Sequence, residues 1–189
     1  GSALLSGAMI KAGVLGWLRF LPGGVFELTA AGTAALMLGV AATIVGAIVG
    51  VTQRDAKTVL AYSSISQMGF ITAGVGALLL VPAAAPLLTL AIAVYALHHA
   101  LAKAALFLSV GLVPALDRAG LRSRWPWVLA AALPALVLAG APLTSGAIAK
   151  SALKTALGDL PAPWSGRIDL VLSIAAIGPL CGTSTAGPF

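Results

Sequence analysis

Charge is scarce in this sequence: only 8% of its 189 residues are Asp, Glu, Lys or Arg, against 60% hydrophobic. A soluble domain carries about 25% charged residues. Too little polar surface is left to face water on all sides, so a soluble helical bundle is a poor fit. Carboxylates are scarcest, five in all, and none lies in the middle of an apolar run. The single cysteine, Cys181, excludes a disulfide framework and a thiolate metal cluster, and leaves the redox compartment unread. Also missing are a glycine-rich phosphate loop, metal-ligand spacing and a Ser/His/Asp set outside the apolar runs. The residues therefore give no catalytic site, no metal site and no cofactor site. No short basic n-region or cleavage site precedes the first apolar run, which already contains Lys11, so no signal peptide is read. Eleven basic residues give a net charge of +6 but form no stripe, which argues against nucleic acid as a partner.

What is present is a series of long apolar runs, and about 20 such residues cross a bilayer as one helix. The first runs about Ala3 to Phe20, with Lys11 inside it and Arg19 at its end; Leu21-Pro22-Gly23-Gly24 then makes a turn. The second, about Leu28 to Val51, is free of charge and dense in Gly32, Gly39, Gly46 and Gly50, as expected where helix backbones approach closely in lipid. After the polar loop Thr52–Lys57 comes a third run, Thr58 to Val81. Its first turns, Tyr62 to Gln67, are polar enough to require a neighbouring helix or the interface. The fourth, Leu87 to Val113, carries His98, His99 and Lys103. Beyond the basic loop with Arg118, Arg122 and Arg124, Trp125 to Ala139 and Ala147 to Leu157 are each too short to span, and Pro142 to Gly146 lies between them. One discontinuous helix is the expectation; two re-entrant segments are the alternative. A last run, Leu170 to Leu180, is short.

The fold expected is all-α, a polytopic transmembrane bundle with about six crossings and a single membrane domain over residues 1–189. Arg54, Lys57, Arg118, Arg122 and Arg124 fall on one side and Arg19, Lys154 and Arg167 on the other, which assigns the richer side to the cytoplasm. The chain begins at Gly1 inside one apolar segment and ends at Phe189 soon after another, so a piece of something larger is expected. Ser6-Gly7-Ala8-Met9-Ile10-Lys11 echoes Ser145-Gly146-Ala147-Ile148-Ala149-Lys150, a weak sign of an internal repeat.

Lys11, His99, Lys103 and Lys150 stand inside apolar runs. A lysine at the centre of a membrane helix costs about 2.5–3.5 kcal/mol on insertion scales, so such residues need a reason. Proton handling supplies one, because burial and neighbouring charge make an amine switchable and histidine titrates near neutral pH. His99 and Lys103 are four apart and share a helix face, whereas His98 points about 100° away. Thr144 and Ser145 offer hydroxyls beside the expected break, one turn before Lys150. Bland readings compete: snorkelling for Lys11, interhelical packing for either histidine, an interfacial role for Lys154, and a charged turn with Asp55 favouring the start of the third helix for Arg54 to Lys57.

Asp55-Ala56-Lys57-Thr58-Val59-Leu60-Ala61-Tyr62-Ser63-Ser64-Ile65-Ser66-Gln67-Met68-Gly69-Phe70 resembles a signature of the large proton-pumping membrane subunits of respiratory complex I, a family shared with Mrp-type antiporter subunits and hydrogenase membrane arms. His98 to Leu108 resembles the family's next motif, Ala139 to Lys150 its broken-helix motif, and Ser6 to Arg19 its span with a central lysine. The wording of Ser6 to Lys11 leans toward the Mrp and hydrogenase branches. The resemblance implies an integral protein of the bacterial cytoplasmic (inner) membrane, containing the last helix of one repeat and most of a second. It implies a proton relay through Lys11, His99, Lys103 and Lys150, with Asp55 and Lys57 at the cytoplasmic end and Thr144 and Ser145 in support. Its partners would be the lipid bilayer, other membrane subunits, and protons or sodium. Quinone, flavin and iron–sulfur groups would sit in other subunits, so any share in an NADH:quinone oxidoreductase or hydrogenase translocase is indirect. The family's first-repeat glutamate and its paired lysine have no counterpart here, and Gly178 to Phe189 matches none of its motifs. The rival readings are a standalone sodium/proton antiporter, which calls for a membrane carboxylate pair, and an assembly piece or nonfunctional fragment.

Overall fold

The computed structural model describes residues 5–118 and 132–137, with Ala147, Ser151 and Thr155, and the described residues form helices and no strand. One π-helical turn, Leu5–Met9, leads into helix α1, Ile10–Phe20. Helix α2 is Thr29–Val51, α3 is Ala56–Leu80 and α4 is Ala85–Arg118, with a 3₁₀ turn at Pro82–Ala84 before α4. Three of these segments are long and apolar enough to cross a membrane: α2, α3, and the stretch Pro82–Leu112. The expected break at Pro142 to Gly146, the last run to Leu180, and therefore the count of about six crossings fall outside the described residues.

The helix ends follow from local chemistry. Asp55 is the N-cap of α3, its carboxylate accepting from the Thr58 amide at 2.8 Å. The cap lets the helix take in Ala56 and Lys57, which polarity alone assigns to the loop. A residue before proline is pushed away from helical dihedrals, and Val81, at φ −126° and ψ 81°, ends α3 just before Pro82. Pro86 then sits in the first turn of α4, where the missing amide hydrogen matters least.

Short links make α2, α3 and α4 an antiparallel series with α3 in the middle: 78% of its span is buried, against 33% for α2 and 44% for the α4 segment. The α2–α3 seam is built from small residues. Gly32, Leu36, Gly39, Thr43, Gly46 and Gly50 are buried along α2, alternating three and four apart. A Cβ added at Gly39 would lie 2.4 Å from the Ala73 backbone nitrogen, and one at Gly69 would lie 2.6 Å from the Gly39 carbonyl oxygen. Only glycine permits that approach. At this distance Thr43 Oγ1 donates to the Gly39 carbonyl (2.8 Å) and the Ser66 carbonyl (3.2 Å), while Ser66 Oγ donates back to the Thr43 carbonyl at 2.9 Å.

The α3–α4 contact has two halves. Toward the Pro82 turn it is apolar, with Phe70, Ile71, Val75, Leu78, Leu88 and Ile92 all buried in one cluster that also takes Val14 from α1. The Leu28 amide donates to the Leu79 carbonyl at 2.9 Å, tying the α1–α2 loop to this same end. The chain direction puts the 52–55 loop and the end of α4 at the opposite end, as the basic-residue pattern requires. Toward that end, the α3–α4 contact turns polar. Ala135, from a helical stretch at residues 132–137, packs beside Ala102 and Leu106 there.

Candidate functional site

Ser63, Ser64, Ser66 and Gln67 are all buried, so of the two expected surroundings, neighbouring helices or the interface, these four take the first. Two of them, Ser63 and Gln67, face α4, where Tyr95, His99 and Lys103 recur every four residues and form one row. Lys103 is 0% exposed. Its ammonium donates to the Leu60 carbonyl at 2.6 Å and to the Ser63 hydroxyl. The Phe107 ring centroid lies 6.0 Å from the same nitrogen, at the outer limit of a cation–π contact.

His99 is also fully buried, and neither ring nitrogen takes a hydrogen-bond partner among the described residues. It lies within electrostatic reach of both Lys11 and Lys103. Leaving a polar group unpaired in an apolar surrounding is costly, so an imidazole held this way is suited to binding a water molecule. His98 is buried too, with its ring 6.3 Å from that of Tyr95.

Lys11 follows the π-helical turn directly. Its ammonium donates to the Ser6 carbonyl inside that turn, one turn back along the chain. The turn packs on α4: a Cβ at Gly7 would meet the Ala100 carbonyl oxygen at 3.5 Å. Lys11 also lines a groove of about 720 Å³ with Val14, Leu18, Ala96 and Ala100. Ser6 Oγ and Ser64 Oγ are 2.9 Å apart, and Ser64 Oγ donates to the Leu60 carbonyl at 3.0 Å. Lys11 is thus held at the Ser6 carbonyl, the Ser6 hydroxyl meets Ser64, and Ser64 and Lys103 share the Leu60 carbonyl as acceptor.

The structure therefore brings Lys11, His99 and Lys103 together. Asp55 and Lys57 stand apart, exposed at the start of α3. The Thr58 backbone amide, and then its hydroxyl, hold the Asp55 carboxyl below the usual carboxylate range, and Lys57 acts in the same direction. Lys150, Thr144 and Ser145 lie outside the described residues. Sequence reasoning missed Ser6, the Leu60 carbonyl, and the Tyr95–Gln67 pair. The one available signal was the polarity of residues 62–67, which placed that stretch against a neighbour without saying which. Among the described residues no group of His, Cys, Asp and Glu is arranged to hold a metal.

The sequence is similar to those of known proteins. Over 115 residues, 58% of this chain and 10% of the other, the sequence is 35% identical to a probable K(+)/H(+) antiporter component of Rhizobium meliloti (strain 1021). It is 30% identical to Hydrogenase-4 component B of Escherichia coli (strain K12) over 169 residues, covering 79% of this chain and 25% of that protein. With NADH-ubiquinone oxidoreductase chain 4 of Chondrus crispus it shares 34% identity over 116 residues, 60% of this chain and 22% of the relative. The chain thus spans about a quarter or less of the length of these relatives. Residues 1–161 match the family described as NADH:quinone oxidoreductase/Mrp antiporter, TM. The chain belongs to that family of transmembrane antiporter-like subunits.

Proposed function

We propose that this chain carries part of the proton route of an antiporter-like subunit in a multi-subunit membrane complex. The observation that carries the reading is the grouping of Lys11, His99 and Lys103 with the Ser6, Ser63 and Ser64 hydroxyls. A proton moves between such groups by short hops when each can both receive and release one. Lysine amines and imidazole do so directly, and the Ser6 and Ser64 hydroxyls do so as donor and acceptor together. Water entering around the unpaired His99 nitrogens would join the lysines to the imidazole. Lys150 is proposed as the next member, toward the exit, with Thr144 and Ser145 beside it. Asp55 and Lys57 act at the cytoplasmic end by shaping the start of α3. The domain is read as one membrane unit of about six crossings, taken from a longer subunit of the bacterial cytoplasmic membrane.

A cation/proton exchanger is the second reading, favoured by the name of the Rhizobium relative. The cluster itself favours the proton. Glu27 and Asp55 are exposed, away from the cluster, and its lysine ammonium groups repel a metal cation. Drive would come from a redox partner or an opposing cation gradient elsewhere in the complex. The test uses the full-length subunit in its complex, reconstituted in vesicles. Lys11→Ala and Lys150→Ala should each lower coupled proton uptake by about tenfold or more, as expected for loss of a proton-transfer group, with assembly intact. Unchanged uptake in either variant removes that lysine from the route.

A further inference from the structure

We propose that Tyr95 and Gln67 are positioning residues that seal the polar corridor against proton leak at the end facing the Pro82 turn. This rests on the proton-route reading. The pair stands where the α3–α4 contact changes chemistry. On one side lie Ser63, Ser64, His99 and Lys103; on the other lie Phe70, Ile71, Val75, Leu88 and Ile92, all buried. Tyr95 is one helical turn from His99, about 6 Å along the axis, and its ring lies 6.3 Å from that of His98.

The Tyr95 hydroxyl donates to the Gln67 side-chain oxygen, and both residues are buried. A phenol has one proton to give, and here it is committed to an amide oxygen, a very weak base. For a proton to pass, the phenol oxygen must accept one from the His99 side and release its own to that amide. The amide has no means of passing a proton onward into the apolar half. The hop sequence stops at this bond. Phe70 packs edge-on against the Tyr95 ring, with centroids 5.1 Å apart and planes at 73°, which fixes the ring across the α3–α4 contact. The hydrogen bond thus does two things: it satisfies polar groups at the end of the corridor and commits the phenol proton to an acceptor that does not pass it on.

The opposing idea is that Tyr95 is itself a relay member, and three variants of the full-length protein separate the two. Coupled uptake is measured with the complex energised. Passive leak is measured after an acid pulse without an energy source, using a pH dye trapped in the vesicles; yield of intact complex is scored for each. Tyr95→Phe keeps the ring and removes the hydroxyl: uptake should stay within about twofold of the unmutated complex, with no added leak. Gln67→Ala and Tyr95→Ala open space for water at the junction: leak should rise about threefold or more in assembled complex. An uptake loss of about tenfold in Tyr95→Phe overturns the proposal by making Tyr95 a carrier. Unmutated leak in assembled Gln67→Ala overturns it as well, because the corridor then ends without the pair. Lys103→Met run in parallel keeps the two readings apart: normal uptake in that variant sinks the route, whereas the leak arms report on the seal alone.

Discussion

A lysine ammonium has three N–H donors to satisfy, and in an apolar surrounding each unsatisfied one is expensive. Lys103 places two of them on one turn of α3, at the Leu60 carbonyl and the Ser63 hydroxyl. Lys11 answers the same demand locally, at Ser6. These lysines, with His99, were legible in the sequence because an ionisable group inside an apolar run stands out by composition alone. Their partners were not, because serines are ordinary in membrane helices and a backbone carbonyl carries no signal at all. Which serine meets which lysine depends on helix rotation. Asp55 makes a prediction at this scale. Its folded-state pKa lies below the unfolded value near 3.8, so the cap stabilises α3 fully above that value and the contribution is lost as pH falls through the lower, folded one. Amide exchange at Thr58 should hold its protection down through the ordinary carboxylate range and lose it only below. Asp55→Asn should remove the pH step. A step at the ordinary carboxylate value would refute the cap's hold on the charge.

At the scale of elements, the observed helices differ from the expected ones mainly at their ends. The run Leu28 to Val51 became α2, Thr29–Val51, because nothing polar blurs its limits. The run expected to start at Thr58 begins at Ala56, since a side-chain cap extends a helix into residues that hydropathy counts as loop. Helix α4 continues to Arg118 for a related reason: backbone hydrogen bonding propagates past the last apolar residue. The glycine-rich seam of α2 was visible as composition, but its partner on α3, Gly69 with Ser66 and Ala73, emerges only from the crossing geometry. Gly39→Val tests the seam. The added atoms meet backbone, which cannot rotate away, so the α2–α3 pair must separate. Overpacking of this kind costs about 1–3 kcal/mol, and it also threatens the Thr43–Ser66 hydrogen bonds. Thermal unfolding in detergent should occur at lower temperature for Gly39→Val than for Ala42→Val, whose site on α2 is half-buried. Equal midpoints would show that the helices are not held at glycine contact.

At the largest scale, the described residues separate a basic, hydroxyl-rich region from an apolar core along the helix axes. The half of the α3–α4 contact near the Pro82 turn is an apolar core that takes in α1. The half toward the 52–55 loop gathers basic groups and hydroxyls. A buried basic cluster in a bundle this small weakens its packing, and a stabilising role alone would be served better by apolar residues of similar size. Family membership and the bundle's helical class both followed from sequence, through motif order and apolar run length. The sidedness of the corridor did not, because it depends on which turns of α3 and α4 lie at the same depth. The direct test is coupled proton uptake by Lys103→Met in the full-length protein, reconstituted with its complex. Methionine keeps much of the side-chain volume and removes the titratable amine. Uptake should fall by about tenfold or more, with the complex assembled at unmutated yield. Uptake at the unmutated rate would contradict the proton route, and Lys103 would then be a packing residue that happens to carry a charge.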